Sequence, residues 1–191
     1  MGVLFETPRL RAVAAADSDL DRLLEVYLSR PDVLELTEGS AGAAGHYDRG
    51  MLERDLALAD LDPTRTAAAL VRDGRVVGAM DWLDSHPLRG IPWIGMLMIG
   101  AAHERQGLGR EALAGLVRRG AGEGWTAVGM GAVDERCSGF LAALGFTPTG
   151  AVNHRFAGGE REVRLFELQL EASGRLLEVL QNRAVEQDEA D

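Results

Sequence analysis

The sequence predicts an α/β fold of the α+β kind, with one mixed, mostly antiparallel central sheet flanked by helices on both faces. Three observations point there. Two strand-like runs, Thr66 to Val71 and Arg75 to Leu83, are joined by Arg72-Asp73-Gly74, and Asp-Gly between apolar runs is a strong hairpin signal. The apolar run Ile91 to Ile99 then leads through glycines into a helix whose Leu108, Ala112, Leu113, Leu116 and Val117 share one face. Beyond it strands and helices alternate. Hairpins early and crossovers later give a mixed sheet, not a purely parallel one.

Taken in order, Thr7 to Val13 alternates as an opening strand. Asp17 or Ser18 caps a helix with Leu20, Leu23, Leu24, Tyr27 and Leu28 on its buried side, and Ser29-Arg30-Pro31 ends it. Gly39 to Gly45, all small residues, reads as a mobile loop. Met51, Leu52, Leu56 and Ala59 mark a second helix ending before Pro63, so two helices precede the main sheet. Ile91 to Ile99 is expected to be buried on both faces. Trp125 to Val133 reads as a strand, Arg136 to Leu144 as a short helix, and Phe146 onward as two strands around Gly158-Gly159. Residues 1–170 make one domain. Residues 171–191 form a helical or frayed tail, with Leu176, Leu177, Leu180 and Ala184 at helical spacing.

Composition narrows the function. The chain has 191 residues, 46% of them apolar, enough for one sizeable core. A net charge of -10 argues against a general nucleic-acid binder, which needs a basic face, and suits a cationic small molecule or peptide. Cys137 is the only cysteine, so no internal disulfide forms and a reduced, cytoplasmic setting is the default. Without clustered ligand spacing no metal is expected. The longest apolar run, Ile91 to Ala102, is short of the roughly 18 to 20 residues that span a bilayer, and no signal-peptide pattern opens the chain.

The junction between Ile99 and Gly109 carries the chemistry. Helix-start N–H groups lack intrahelical partners, the dipole there is positive, and glycine lets an anion approach the backbone. Gln106-Gly107-Leu108-Gly109-Arg110, with Arg105 and Arg110 supplying local charge, therefore reads as a pyrophosphate cradle. Gly107-Leu108-Gly109-Arg110-Glu111-Ala112 also satisfies a loose dinucleotide pattern, with Asp134 placed to serve a ribose. About seven residues intervene between strand and first glycine, however, where that fingerprint needs almost none. No Gly-Lys-Ser/Thr occurs, which excludes a Walker loop.

Leu97 through Gly109 resembles the acyl-CoA-binding signature of the GNAT superfamily of N-acetyltransferases, in which a strand leads into Arg/Gln-x-x-Gly-x-Gly/Ala at a helix start. Asp134 to Phe146 looks like that family's second signature, Asn-x-x-Ala-x-x-Phe-Tyr-x-x-Leu-Gly-Phe. This sequence departs from the pattern with Glu104 for Arg or Gln, Asp134 for Asn, and Leu141 where a tyrosine commonly serves as the acid that protonates CoA thiolate. The resemblance implies acetyl-CoA as co-substrate and a primary amine on a small molecule or peptide as acceptor. It places pantetheine and thioester against the backbone of Leu97, Met98 and Ile99, the pyrophosphate at Arg105 to Arg110, and Phe140 in the cofactor set. A GNAT-like sensor or scaffold that binds acyl-CoA with little turnover is the alternative, motivated by Leu141. A homodimer is left open.

For the base, strand alternation puts Asp81 with Val77, Ala79 and Leu83, and an acid among apolar neighbours has a raised pKa. Asp134 is either a base or contact for pantetheine, or a helix cap. Glu38, beside the small-residue loop, is placed to recognise a cationic acceptor, with a solvated acid as the plain alternative. His154, Trp82 and Trp93 are the remaining candidates for the acceptor cleft, the alternatives being a surface position for His154 and packing in the sheet for the two tryptophans.

Overall fold

A computed structural model describes residues 2–39, 46–157 and 159–180. Positions 40–45 of the small-residue run, Gly158 and the tail past residue 180 lie outside the described residues. The chain begins with β1 (Val3–Glu6) and β2 (Arg11–Ala14). These correct the single opening strand expected over Thr7 to Val13. Thr7 to Leu10 is a turn in which the Thr7 N–H donates to the Leu10 carbonyl (2.8 Å) and the Leu10 N–H to Thr7 Oγ1 (2.9 Å). Pro8, with no N–H to give a ladder, suits that turn.

A 3-10 turn at Asp17–Asp19 leads into α1 (Leu20–Leu28) with no side-chain cap, so neither Asp17 nor Ser18 caps it as expected. Its buried face is Leu20, Leu23 and Val26, while Leu28 is exposed. The sequence reading missed α2 (Pro31–Glu38). A proline after Ser29-Arg30 reads as a stop, but at the first helical position its missing N–H costs nothing. With α3 (Arg49–Asp60), which Asp48 caps through Met51 N, three helices precede β3 (Arg65–Arg72).

β3 turns into β4 (Arg75–Leu83) through Asp73 (φ 50°) and Gly74 (φ 74°), the left-handed pair a tight hairpin needs. β5 (Trp93–Ile99), α4 (Leu108–Gly122), β6 (Ala127–Ala132), α5 (Glu135–Ala143), β7 (Thr147–Phe156) and β8 (Gly159–Gln169) complete the order. The strands form one sheet, β1-β2-β3-β4-β5-β6-β8-β7. Every neighbouring pair is antiparallel except β5 and β6.

Helices cover both faces. Against one lie α4 and α5, with Phe5, Met80, Trp82, Ile94, Leu108, Leu116, Leu141 and Leu168 in the larger core. Leu176 and Leu180, in the helical residues 174–180, join it. Against the other face lie α1, α2 and α3, whose smaller core holds Leu20, Leu23, Leu34, Tyr47, Leu52, Ala69 and Ala79. Val77 falls in the larger core, opposite Ala79. The β3–β4 register slips between Leu70 and Val71, leaving Val77 as an extra residue. A bulge reverses facing beyond it, which corrects the expectation that Val77 shares a side with Asp81. No helix among the described residues is long and apolar enough to cross a membrane.

Candidate active site

The site begins where β5 loses a neighbour. β5 pairs with β6 only at Trp93↔Gly129 and Ile94↔Met130, while its pairing with β4 continues to Ile99. The second half of β5 is therefore a strand with one empty edge. Only Ile94 and Met98 are fully buried in it and Gly95 is exposed, correcting the expectation of burial on both faces. Gly95 is an extra residue in the β4–β5 register, between Trp82↔Ile94 and Asp81↔Met96.

Backbone alternation decides which groups face the gap. The Gly100 N–H donates to the Val77 carbonyl at 2.9 Å, which makes Gly78↔Ile99 and Met80↔Leu97 the non-hydrogen-bonded pairs. Leu97 and Ile99 thus aim their N–H and C=O away from β4 into the opening. Arg30 Nη1 donates to the Ile99 carbonyl there at 3.1 Å. Met98 turns its N–H toward β4 and its side chain is buried, so it offers the groove no backbone donor.

The gap runs toward the tip of α4. Gly107 stands at the N-cap with φ 78° and no side-chain cap. Leu108, Gly109 and Arg110 supply the helix-start N–H groups, which find no acceptor among the described residues. Arg105 has φ 62°, unusual without glycine. A Cβ on Gly109 would meet only Ile99 Cγ1 and Phe140 Cζ, both at 3.7 Å. Half-exposed Phe140 therefore flanks the groove with Ile99. The Arg105 side chain is exposed, whereas Arg110 Nη2 donates to the Arg175 carbonyl. Glu104 pairs with Arg30 Nη1 at 2.9 Å. Arg30 also binds Asp32 through two nitrogens, and Arg136 of α5 reaches the same carboxylate at 3.0 Å.

Asp81 lies across from Met96, and a Cβ on Gly95 would fall 2.3 Å from its Oδ1, so only glycine lets that carboxylate rest on the bulge. It borders a cavity of about 30 Å³ with Tyr27, Asp55, Arg65 and Met96, room for about one or two waters. Burial pushes the Asp81 carboxyl up, and Arg65, 3.0 Å away, pulls it back only in part. Tyr27 stacks on Tyr47 at 5.5 Å and donates to Met96 Sδ at 3.3 Å. Tyr47 donates to Asp55 at 2.7 Å. Burial raises both phenols, with Asp81 adding to Tyr27 and Asp55 to Tyr47. Glu38, at the end of α2, is raised by burial and next by Asp55, which puts it beside the same group.

The other candidates lie elsewhere. Asp134 caps α5, accepting from the Cys137 N–H at 2.7 Å. Burial pushes its carboxyl up, but the Cys137 and Arg136 contacts outweigh that and leave it below the ordinary value, ill suited to a base. Trp82 is fully buried on the α4 face beside Phe5 and under Arg119, so of its two readings it packs the sheet and does not line the Asp81 cavity. One strand position separates it from Asp81, and adjacent residues face opposite ways. Trp93 covers Gly129 and contacts His86 and Arg89. His154 is exposed on β7 against Phe156 and borders neither the Asp81 cavity nor the hollow beside Asp134. Leu141 is in the larger core. Sequence reasoning missed Tyr47, Asp55 and Arg65, and took Tyr27 for core, because their convergence depends on how α1 and α3 pack on the sheet.

The fold and site define an α/β protein whose one parallel strand pair opens into a groove aimed at an uncapped helix tip. This is the fold of the GCN5-related N-acetyltransferases. A structure of that name from Brucella melitensis matches with TM-score 0.74 and 16% identity, over 93% of this chain and 83% of that one. An acetyltransferase from Thermus thermophilus matches at 0.69 and 22%, over 84% and 97%. The ribosomal L7/L12 α-N-protein acetyltransferase RimL, in complex with coenzyme A, matches at 0.68 and 15%, over 90% and 99%. No protein-family model matches the sequence, and no curated protein matches it significantly.

Proposed function

We propose that the protein is an N-acetyltransferase that moves an acetyl group from acetyl-CoA to a primary amine by direct attack on the thioester. The observation that carries this is the single-edged half of β5. Its Leu97 and Ile99 backbone groups, free of β6, lead to the unsatisfied N–H groups of Leu108 to Arg110. An extended thiol ester with a diphosphate at one end fits both: pantetheine supplies the missing strand edge, and the helix tip takes the charge. The solved relatives include acetyltransferases in complex with coenzyme A, acting on a ribosomal protein and on spermidine, which supports the reading.

Three chemical tasks then fall to this chain. The Leu97 N–H, fixed in the gap, stabilises the charge that develops on the thioester oxygen. Asp81 takes the proton from the attacking nitrogen, directly or through one water in the cavity beside it, its raised pKa bringing it closer to the amine. The CoA thiolate leaves with a thiol pKa of about 8.5, tolerable without an acid, so buried Leu141 does not forbid turnover. Asp55, lining the cavity with Asp81, and Glu38, close enough to Asp55 to feel its charge, make the acceptor side acidic and suit a cationic amine. Phe140, Arg105 and Gln106 to Arg110 are the cofactor contacts.

Incubation with acetyl-CoA and a panel of amines, following CoA release, tests the reading. Amine-dependent release with thermal protection by acetyl-CoA is the expected result. Protection without transfer to any amine would favour an acyl-CoA sensor. No protection would remove the cofactor altogether.

A further inference from the structure

The loop before α4 is held by side chains from the β1–β2 turn, from β3 and from α4 itself. Glu111, in the first turn of α4, is fully buried. It accepts from Thr7 Oγ1 at 2.8 Å, the Arg9 N–H at 2.8 Å and Arg9 Nε at 2.7 Å, and Arg9 Nη2 lies 2.6 Å away. With Nε donating to Glu111 and Nη2 within ion-pair distance of the same oxygen, Arg9 turns Nη1 to the main-chain carbonyl of Gln106 at 3.0 Å. The Gln106 side chain is fixed too, accepting from Arg72 Nη1 at 2.8 Å and donating to the Ala102 carbonyl at 3.2 Å.

Gln106 sits between Arg105 at φ 62° and Gly107 at φ 78°. Gly107 takes its φ freely, but left-handed backbone at Arg105 is costly and persists only where neighbours over-determine it. The peptide after Gln106 can face two ways. With its carbonyl held by Arg9, the N–H groups of Leu108 to Arg110 are left without an acceptor among the described residues. Released, the carbonyl is free to swing toward the groove, where it would repel an anion.

We infer that Arg9, on the β1–β2 turn, is a positioning residue for the diphosphate cradle, setting acyl-CoA affinity through the Gln106 carbonyl without touching the ligand. This rests on the acyl-CoA reading above. Glu111 orients the guanidinium, and the third nitrogen orients the loop. Arginine is required because its planar fork serves the carboxylate and the carbonyl at once, which a single ammonium cannot.

Arg9→Lys separates the two tasks. Lysine keeps a charge on buried Glu111 but loses Gln106, so the thermal midpoint should stay within a few degrees while KM for acetyl-CoA rises about tenfold, as one lost charge-assisted hydrogen bond gives, with kcat little changed. Thr7→Val is the counterpart: it removes a Glu111 partner that does not itself reach Gln106, together with the Leu10 contacts of the turn, and should lower the midpoint while raising KM much less than Arg9→Lys does. A wild-type KM in Arg9→Lys, or an equal rise in Thr7→Val, overturns the inference. Should Arg9→Lys fail to fold, the neutral pair Arg9→Met with Glu111→Leu must show the raised KM, and a wild-type KM there overturns it equally. A wild-type protein that neither binds nor turns over acetyl-CoA overturns the cofactor reading first, before any variant is made.

Discussion

The two faces of the sheet differ in what they do with polar groups. On the α4 face the interior is aliphatic and aromatic, and the buried carboxylate Glu111 has every oxygen answered by the β1–β2 turn. On the α1–α3 face, the smaller core gives way to Tyr27, Tyr47, Asp55, Arg65 and Asp81 around a cavity, with Asp81 answered by one arginine. A satisfied buried acid is structural. An under-satisfied one beside a cavity, its pKa raised by burial, is a candidate for chemistry. The groove between β5 and β6 lies at the boundary of these two environments.

The contrast can be broken or sharpened by substitution. Trp82→Ala should cost about 3–5 kcal/mol of stability, because it empties a fully buried position in the larger core. Denaturant unfolding checks it, and a loss under about 1 kcal/mol would mean that this face is less tightly packed than its burial implies. Asp81→Asn should lower kcat by roughly a hundredfold while leaving acetyl-CoA affinity intact. The carboxyl is raised above its ordinary value of 3.8, so the acidic limb of the wild-type rate profile should lie above that value and be absent from the variant. An unchanged profile would remove Asp81 from the mechanism.

Gly109→Val should weaken CoA binding by about tenfold, or about 1.4 kcal/mol. Its Cβ meets the protein only at ordinary contact distance, so the fold should tolerate it, and calorimetric titration with CoA gives the answer. The smallest effect is expected at Asp32, which ties α2 to α5. Its hydrogen bond to Arg30, with Arg136 adding, holds its carboxyl well below the usual range. A carboxyl lowered on folding stabilises above its unfolded pKa of about 3.9 and loses that contribution as pH falls below it. Asp32→Asn should therefore lower the thermal midpoint slightly at pH 7, and the difference from wild type should vanish in acid.

Legibility followed the range of the forces. The Asp73-Gly74 hairpin, the helix from Leu108 and the strand pair after Phe146 were plain, because each depends on local turn chemistry or on an unbroken period. Pro31 misled, since the same ring ends one helix and begins another. Gln106 to Gly109 could be read as a cradle because a helix tip needs only its own backbone. Asp81 can be placed by alternation and Trp82 read as packing the sheet, but only the structure rules out the acceptor pocket for Trp82, and Val77 changes side through a bulge that no pattern announces. Glu38 was picked for its place beside a loop, and tertiary packing set it near Asp55.

The sequence by itself determined that one mixed sheet would form, that a strand would enter a helix through glycines, and that the helix tip would carry backbone donors without partners. These follow from periodicity and from orphan backbone donors within a few residues. Tertiary structure alone decided that β5 parts from β6 after Ile94, that Leu97 and Ile99 face the gap while Met98 does not, and that Arg9 reaches Gln106 across nearly a hundred residues of chain. Edge exposure, bulges and long-range ion pairs are properties of how elements meet, and no local stretch of sequence encodes them.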